Sequence, residues 1–259
     1  MRRTILFIVT VLIFVIQPCL FLCRSQAAEP KRPNILFLLI DDMGWPDVRC
    51  YGHEFHETPV IDSLARQGVR FTDFYAATPV CSSTRSTIQA GQYSARTAIT
   101  DFIPGHWRPF EKLVVPQIEH HLSQGVQTPG DALKAAGYNT GYFGKWHLGN
   151  GAEFAPDQHG YDVTERQLGK EFNAWRDKKP RGPKSIDFLT DAAIWFLEQQ
   201  QDRPFFLTVS HHAVHIPVEG NRVTTQKYRD KPKPQTGVNH PIYAAMTEDL
   251  DTSIGRILD

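Results

Sequence analysis

The sequence predicts a three-layer α/β sandwich built on a mostly parallel sheet. Three observations predict it. Residues 34–40 and 205–210 are apolar runs without alternation, the pattern of strands buried on both faces by flanking helices. Segments with helical periodicity alternate with these strands along the chain. Polar residues collect just past the strand ends, where ligands bind in open α/β sheets.

Taken in order, the first strand ends on Asp41-Asp42-Met43-Gly44. Thr58 is a candidate cap for a helix with Pro59 at its first position, Ile61, Leu64 and Ala65 on one face, and Gly68 as its stop. Residues 69–75 alternate like a strand and lead into Cys81-Ser82-Ser83-Thr84-Arg85. Residues 84–90 then form about two helical turns, ended by Gly91. Thr128-Pro129 opens another helix that runs through Leu133 to Ala136 and stops at Gly137. A short strand over 138–143 delivers Gly144-Lys145-Trp146-His147-Leu148-Gly149. Ile186, Leu189, Ala193, Phe196 and Leu197 share one helical face, and the strand over 205–210 ends at His211-His212-Ala213-Val214-His215-Ile216-Pro217. Tyr243, Met246, Leu250, Ile254 and Ile257 mark a final amphipathic helix.

Residues 99–127 and 150–184, rich in Pro, Gly, His and aromatics, are expected as long surface loops shaping a substrate cleft. Residues 222–240 are polar with several prolines and are also expected as loop. Trp107, Trp175 and the Arg and Lys residues between 166 and 184 read as loop anchors and solvated charge, with a sugar-lining role as the alternative.

Residues 1–28 have the layout of a secretory signal peptide: Arg2 and Arg3, an apolar run from Ile5 to Ile16, Pro18, and small residues at Ser25, Ala27 and Ala28. An uncleaved anchor is the competing reading, against which Gln17 and Pro18 interrupt the run. Export to a periplasmic or extracellular space follows, with 29–259 as one catalytic domain and no stable membrane partner. Cleavage removes Arg2, Arg3 and Arg24 and no acid, so the formal charge falls from +0 to −3, which excludes a nucleic-acid binder that relies on a broad basic surface. It also leaves only Cys50 and Cys81, a candidate disulfide pair in an oxidising compartment.

Four clusters point into one crevice: Asp41 and Asp42, Cys81 to Arg85, Lys145 with His147, and His215. Each alone is ordinary, a solvated turn or a surface histidine. Together, paired carboxylates offer hard oxygen ligands for Ca²⁺ or Mg²⁺, and Arg85 and Lys145 suit an anionic substrate. His147 and His215 can move protons near neutral pH. Cys81 at a helix N-terminus is a nucleophile suited to phosphoryl or sulfuryl transfer.

Cys81-Ser82-Ser83-Thr84-Arg85 resembles the sulfatase signature Cys-x-Pro-x-Arg, and Gly91 resembles the glycine that closes that helix. The resemblance continues through Pro33-Asn34-Ile35 to Asp41-Asp42-Met43-Gly44, Thr58-Pro59 to Gly68-Val69-Arg70-Phe71, the segment from Gly144 to Gly149, and His215-x-Pro217. It implies an alkaline-phosphatase-like sandwich and hydrolysis of a sulfate ester of a small molecule or carbohydrate. It implies conversion of Cys81 to formylglycine, an aldehyde whose hydrate attacks sulfur and then expels sulfate. A formylglycine-generating or anaerobic sulfatase-maturing enzyme would make that change. By position, Asp41, Asp42 and the modified Cys81 would bind one Ca²⁺ or Mg²⁺. Arg85 would hold the diol, Lys145 would contact the sulfate or a diol oxygen, His147 would assist elimination of sulfate, and His215 would protonate the leaving oxygen. Ser83 stands where the family usually has Pro. The Asp-Asn pair and second Lys of the family fall beyond Asp259, so the chain reads as the N-terminal part of a sulfatase. A phosphonate or phosphate ester hydrolase of the same superfamily, and a non-catalytic binder of anionic carbohydrate, are the alternatives.

Overall fold

The structure, a computed structural model, describes residues 32–259 except 107, 111, 177, 201, 202 and 236. The signal-peptide reading of 1–28 and the reading of Trp107 therefore lie outside the described residues. Both non-alternating runs become strands. The sheet contains β1 (Ile35–Ile40), β2 (Asn139–Gly144), β3 (Val163–Thr164) and β4 (Phe205–His211), all parallel, in the order β1-β4-β2-β3. Around it lie α1 (Pro59–Gln67), α2 (Cys81–Ala90), α3 (Ser94–Thr97), α4 (Pro129–Ala135), α5 (Lys170–Arg176), α6 (Ile186–Glu198), α7 (Arg222–Asp230) and α8 (Pro241–Leu258).

The period-two geometry of the strands sorts their side chains into two cores. Leu36, Leu38, Phe143, Leu207 and Val209 face α6, where Leu189, Ala193 and Phe196 meet them with Ile257 of α8. Ile35, Phe37, Tyr142 and Phe206 face the other way, against Leu133 of α4 and the loop residues Ile99, Ile103 and Leu122. Each fully buried side chain of this size contributes about 1.5–3 kcal/mol. These two faces are the outer layers of the expected sandwich.

Four local expectations are corrected. First, β1 is half-buried throughout, because among the described residues only β4 pairs with it. Second, residues 69–75 form no strand; they run as irregular chain with a bend at 72–73 and with Val69, Phe71, Phe74 and Tyr75 exposed, since alternation supplies a face but not a neighbour to pair with. Third, residues 222–230 are helical. Asn221 caps them by accepting from Val223 N at 2.9 Å, and Thr225 and Tyr228 give one buried side; Pro232 and Pro234 come after the helix has ended. Fourth, Thr58 makes no capping bond to α1. The buried carboxylate of Asp251 on α8 takes that role, accepting from Val60 N at 3.0 Å and Ile61 N at 2.8 Å. Thr128, by contrast, caps α4 as its sequence predicts, in a capping box with Asp131.

Candidate active site

The C-terminal ends of β1, β4 and β2 deliver the polar residues. Leaving β1, Asp41 still pairs through its backbone: its N–H donates to Ala213 O at 3.1 Å and its carbonyl accepts from Val214 N at 2.7 Å. The segment that carries His215 is thus tied to the aspartate pair. Leaving β2, the chain must cross β4 at Gly144, where φ is 102° and a Cβ would fall 1.9 Å from Ser210 O. Only glycine passes there. Lys145 N then donates to Ser210 O at 2.8 Å, which aims the following side chains into the site.

Helix α2 begins at Cys81, three residues earlier than its periodicity predicts, and ends at Gly91 in the left-handed conformation (φ 60°, ψ 26°). Arg85, one turn in and buried, joins the three strand ends. Its Nη2 donates to Asp41 Oδ1 at 2.9 Å, and its Nη1 donates at 2.6 Å to both Lys145 O and Ser210 Oγ. Lys145 Nζ takes the other Asp41 oxygen. Burial alone would raise the Asp41 pKa, but these two cations outweigh it and hold the carboxyl below its ordinary value.

Cys81 Sγ lies 3.2 Å from His147 Nδ1. The far nitrogen of that ring, Nε2, is 2.8 Å from the Ile103 carbonyl, which can only accept, so Nε2 carries a proton. Nδ1 therefore either accepts from the thiol or, protonated, donates to a thiolate. Burial pushes the Cys81 thiol up, but the His147 hydrogen bond and the charges of Lys145 and His147 bring it below its ordinary value. His147 moves up in turn, chiefly through the bond with Cys81. This is the arrangement of an activated nucleophile with an oriented base. His147 (φ 57°) and Asp42 (φ 63°) both sit in the left-handed region, which costs L-residues energy and persists where the surroundings hold it.

Asp42 differs from its neighbour. Its side chain is 57% exposed, and Oδ2 stands 3.6 Å from His215 Nε2. His215 donates through Nδ1 to the Ile216 carbonyl at 2.6 Å and lies at the mouth of the site. Asp41, Lys145, His212 and His215 line one recess of about 390 Å³ together with Lys184 and Ser185. Every predicted site residue thus falls in one neighbourhood. Sequence reasoning missed Ser210, His212 and the Ile103 carbonyl, which carry no motif and are found only through the sheet register and loop closure; Lys184 belongs to the 166–184 group for which a sugar-lining role is the alternative reading.

The described residues do not by themselves fit a divalent cation. No group of three His, Cys, Asp or Glu side chains comes together among them. Both oxygens of Asp41 are already taken by cations, and two carboxylates fall short of the six to eight oxygens that Ca²⁺ takes. Cys50 and Cys81 are both free thiols, so the expected disulfide alternative does not hold.

The sulfatase family model matches residues 33–259. The chain belongs to the sulfatase family. N-acetylgalactosamine-6-sulfatase of Sus scrofa is 32% identical over 264 residues, covering 88% of this chain and 47% of that protein. Arylsulfatase A of Homo sapiens is 32% identical over 231 residues, covering 73% of this chain and 43% of that protein. The chain spans about half the length of the curated relatives it matches. Among solved structures, Ps i-CgsB superposes with a TM-score of 0.68 at 22% identity, covering 88% of this chain and 54% of that one. That likeness speaks for the fold: a sulfatase-like sandwich with a parallel sheet. No described helix of this sulfatase chain is long and apolar enough to cross a membrane.

In this family context Ser83, in place of the signature proline, is structurally undemanding. It is the third residue of α2, where the backbone N–H has no helical acceptor in any case, which is why proline is tolerated there. The serine hydroxyl instead lies 2.6 Å from Thr78 Oγ1, in a buried cluster that the preceding loop shares.

Proposed function

We propose that the protein carrying this chain is an exported sulfatase that hydrolyses a sulfate ester, of a sulfated carbohydrate in particular, through a formylglycine made from Cys81. One observation carries the reading: Cys81 stands at the N-terminus of α2, 3.2 Å from a histidine whose proton position is fixed by a backbone carbonyl. The names of the relatives, sulfatases acting on an amino-sugar sulfate and on aryl sulfates, support the substrate class.

When present, the hydrated aldehyde supplies the oxygen nucleophile for sulfur and the second hydroxyl that releases sulfate. The chain's own residues do the rest. Arg85, fixed by Asp41, Ser210 and the Lys145 carbonyl, keeps the first turn of α2 at the strand ends. Lys145 presents positive charge to the sulfuryl oxygens. His147 Nδ1 takes a proton from the group at the Cys81 side-chain position, and Nε2 cannot compete because its hydrogen is held by Ile103 O. His215, at the mouth, gives a proton to the departing alcohol oxygen. The expected Ca²⁺ or Mg²⁺ at Asp41, Asp42 and Cys81 does not enter this reading, since Arg85 and Lys145 already occupy both oxygens of Asp41.

The test is to co-express the full-length protein with a formylglycine-generating or an anaerobic sulfatase-maturing enzyme. Mass spectrometry of the Cys81 peptide and sulfate release from aryl and sugar sulfates are then measured. The expected result is a formylglycine-bearing peptide, sulfate release, and a loss of at least about 10³-fold in Cys81→Ala. Phosphate release exceeding sulfate release would transfer the site to the phosphonate and phosphate ester hydrolases. Retained carbohydrate binding with an unmodified Cys81 and no turnover would make it a binding protein.

A further inference from the structure

Lys184 reaches the recess beside Asp41 and Lys145 through a strained piece of backbone. Lys184 (φ 49°, ψ 28°) and Ser185 (φ 58°, ψ 23°) are consecutive left-handed residues that both carry a Cβ. Such a pair persists only where its surroundings hold it. Here Lys184 N donates to Glu219 Oε2 at 3.1 Å, Ser185 N to Gly182 O at 3.1 Å, and Phe188 N to Arg181 O at 3.1 Å. The Arg181 guanidinium lies 3.7 Å over the Phe188 ring, and buried Arg176 is bonded to Asp191 at 3.0 Å. Those two arginines are the loop anchors that the sequence predicts. Lys184 is not one of them.

The cations around the recess outnumber their counter-charges, three against two. Arg85 and Lys145 share Asp41, one on each oxygen. Lys184, only 13% exposed, has Glu219 Oε1 at 4.0 Å, and that glutamate is half-exposed to water. An ammonium on a largely buried side chain, with so distant a partner, gains from a bound anion. Burial, and the charges of Lys145, Arg85 and Lys184 against the opposing Asp41, lower the His212 pKa below its ordinary value.

We infer that Lys184 is a substrate-binding residue, the cation that receives an oxygen of the sulfate group as it enters between Lys145 and His215. The inference rests on the sulfatase reading. Glu219 serves as the counter-charge that an incoming sulfate displaces.

The test compares full-length matured wild type with Lys184→Gly, Lys184→Arg and Glu219→Gln. Calorimetry gives the Kd for inorganic sulfate, and steady-state kinetics give KM and kcat on an aryl sulfate. Glycine adopts φ 49° without strain, so Lys184→Gly keeps or raises the melting temperature. It should nevertheless weaken sulfate binding and raise KM about tenfold, with kcat changed less than about twofold. Lys184→Arg restores most of the affinity. Glu219→Gln keeps an acceptor for Lys184 N but removes the competing charge, so it tightens sulfate binding. A Kd and KM for Lys184→Gly within about twofold of wild type overturns the inference. So does a Glu219→Gln variant that weakens binding. If no ester is hydrolysed by the wild type, the sulfatase reading fails, while the sulfate Kd values still decide the role of Lys184.

Discussion

The two faces of the sheet meet opposite fates near β1. Towards α6, aromatic and aliphatic side chains close completely: Phe196 is 1% exposed and Leu207 0%. On the side of α2, beside the edge of β1 that pairs with no strand among the described residues, Phe74 is 79% exposed and Tyr75 80%. There Phe37, Leu39, Phe74, Tyr75, Ile88 and Tyr93 line an apolar groove of about 880 Å³. The residue types hardly differ between the two sides. What differs is whether a neighbouring element among the described residues covers them, so burial here belongs to the pairing and not to the side chain.

The contrast can be tested by unfolding experiments. Phe196→Ala, on the closed side, should cost about 3–5 kcal/mol in urea denaturation, through lost transfer energy and the cavity left in the α6 layer. A cost under about 1 kcal/mol would mean that this face is not the core. Asp251→Ala, which uncaps α1, should cost about 1–2 kcal/mol at neutral pH. Burial raises the Asp251 pKa above 3.8, against the two backbone hydrogen bonds, so the folded state favours the protonated acid. The stabilisation linked to that shift is fully present below 3.8 and is lost as pH rises through the folded value. The cost of the substitution should therefore grow as pH is lowered from 7 towards 4, and a cost that shrinks would reverse the assignment. On the open side, Phe74→Ser and Tyr75→Ser should change stability by no more than about 0.5 kcal/mol. Light scattering should still show less self-association, because an exposed apolar patch beside a strand edge that pairs with none of the described residues invites intermolecular pairing. A large loss of stability in Tyr75→Ser would erase the distinction between the faces.

Much of this was legible in the residues. Runs such as 34–40 and 205–210 announce strands because a parallel sheet with two covered faces tolerates no polar alternation. The aligned set Ile186, Leu189, Ala193 and Phe196 announces α6. Cys81, Arg85, Lys145, His147 and His215 were each singled out by type and by position after a strand or at a helix start, and the structure brings them near one another. The failures share a cause: they depend on partners far away in the chain. Residues 69–75 alternate correctly, but pairing needs a neighbour. Thr58 is a good local cap, yet Asp251, 190 residues from Ile61, displaces it. Lys184 sits in a segment without periodicity, and only the left-handed turn reveals where its ammonium goes.

Arg85 has a consequence for how this site can change. A single guanidinium bonds to the first residue past β1, the first past β2 and a side chain on β4. The same group is therefore both a joint of the architecture and a member of the chemical site. Substitutions there cannot separate loss of chemistry from loss of assembly, and new specificity is poorly reached by altering it. His215, half-exposed at the mouth, has a side chain held by its own neighbour's carbonyl and loosely by Asp42, and carries no such double duty. On the proposed sulfatase reading, variation in substrate choice can collect on that rim and on the loop of Lys184, while the Arg85 joint stays fixed.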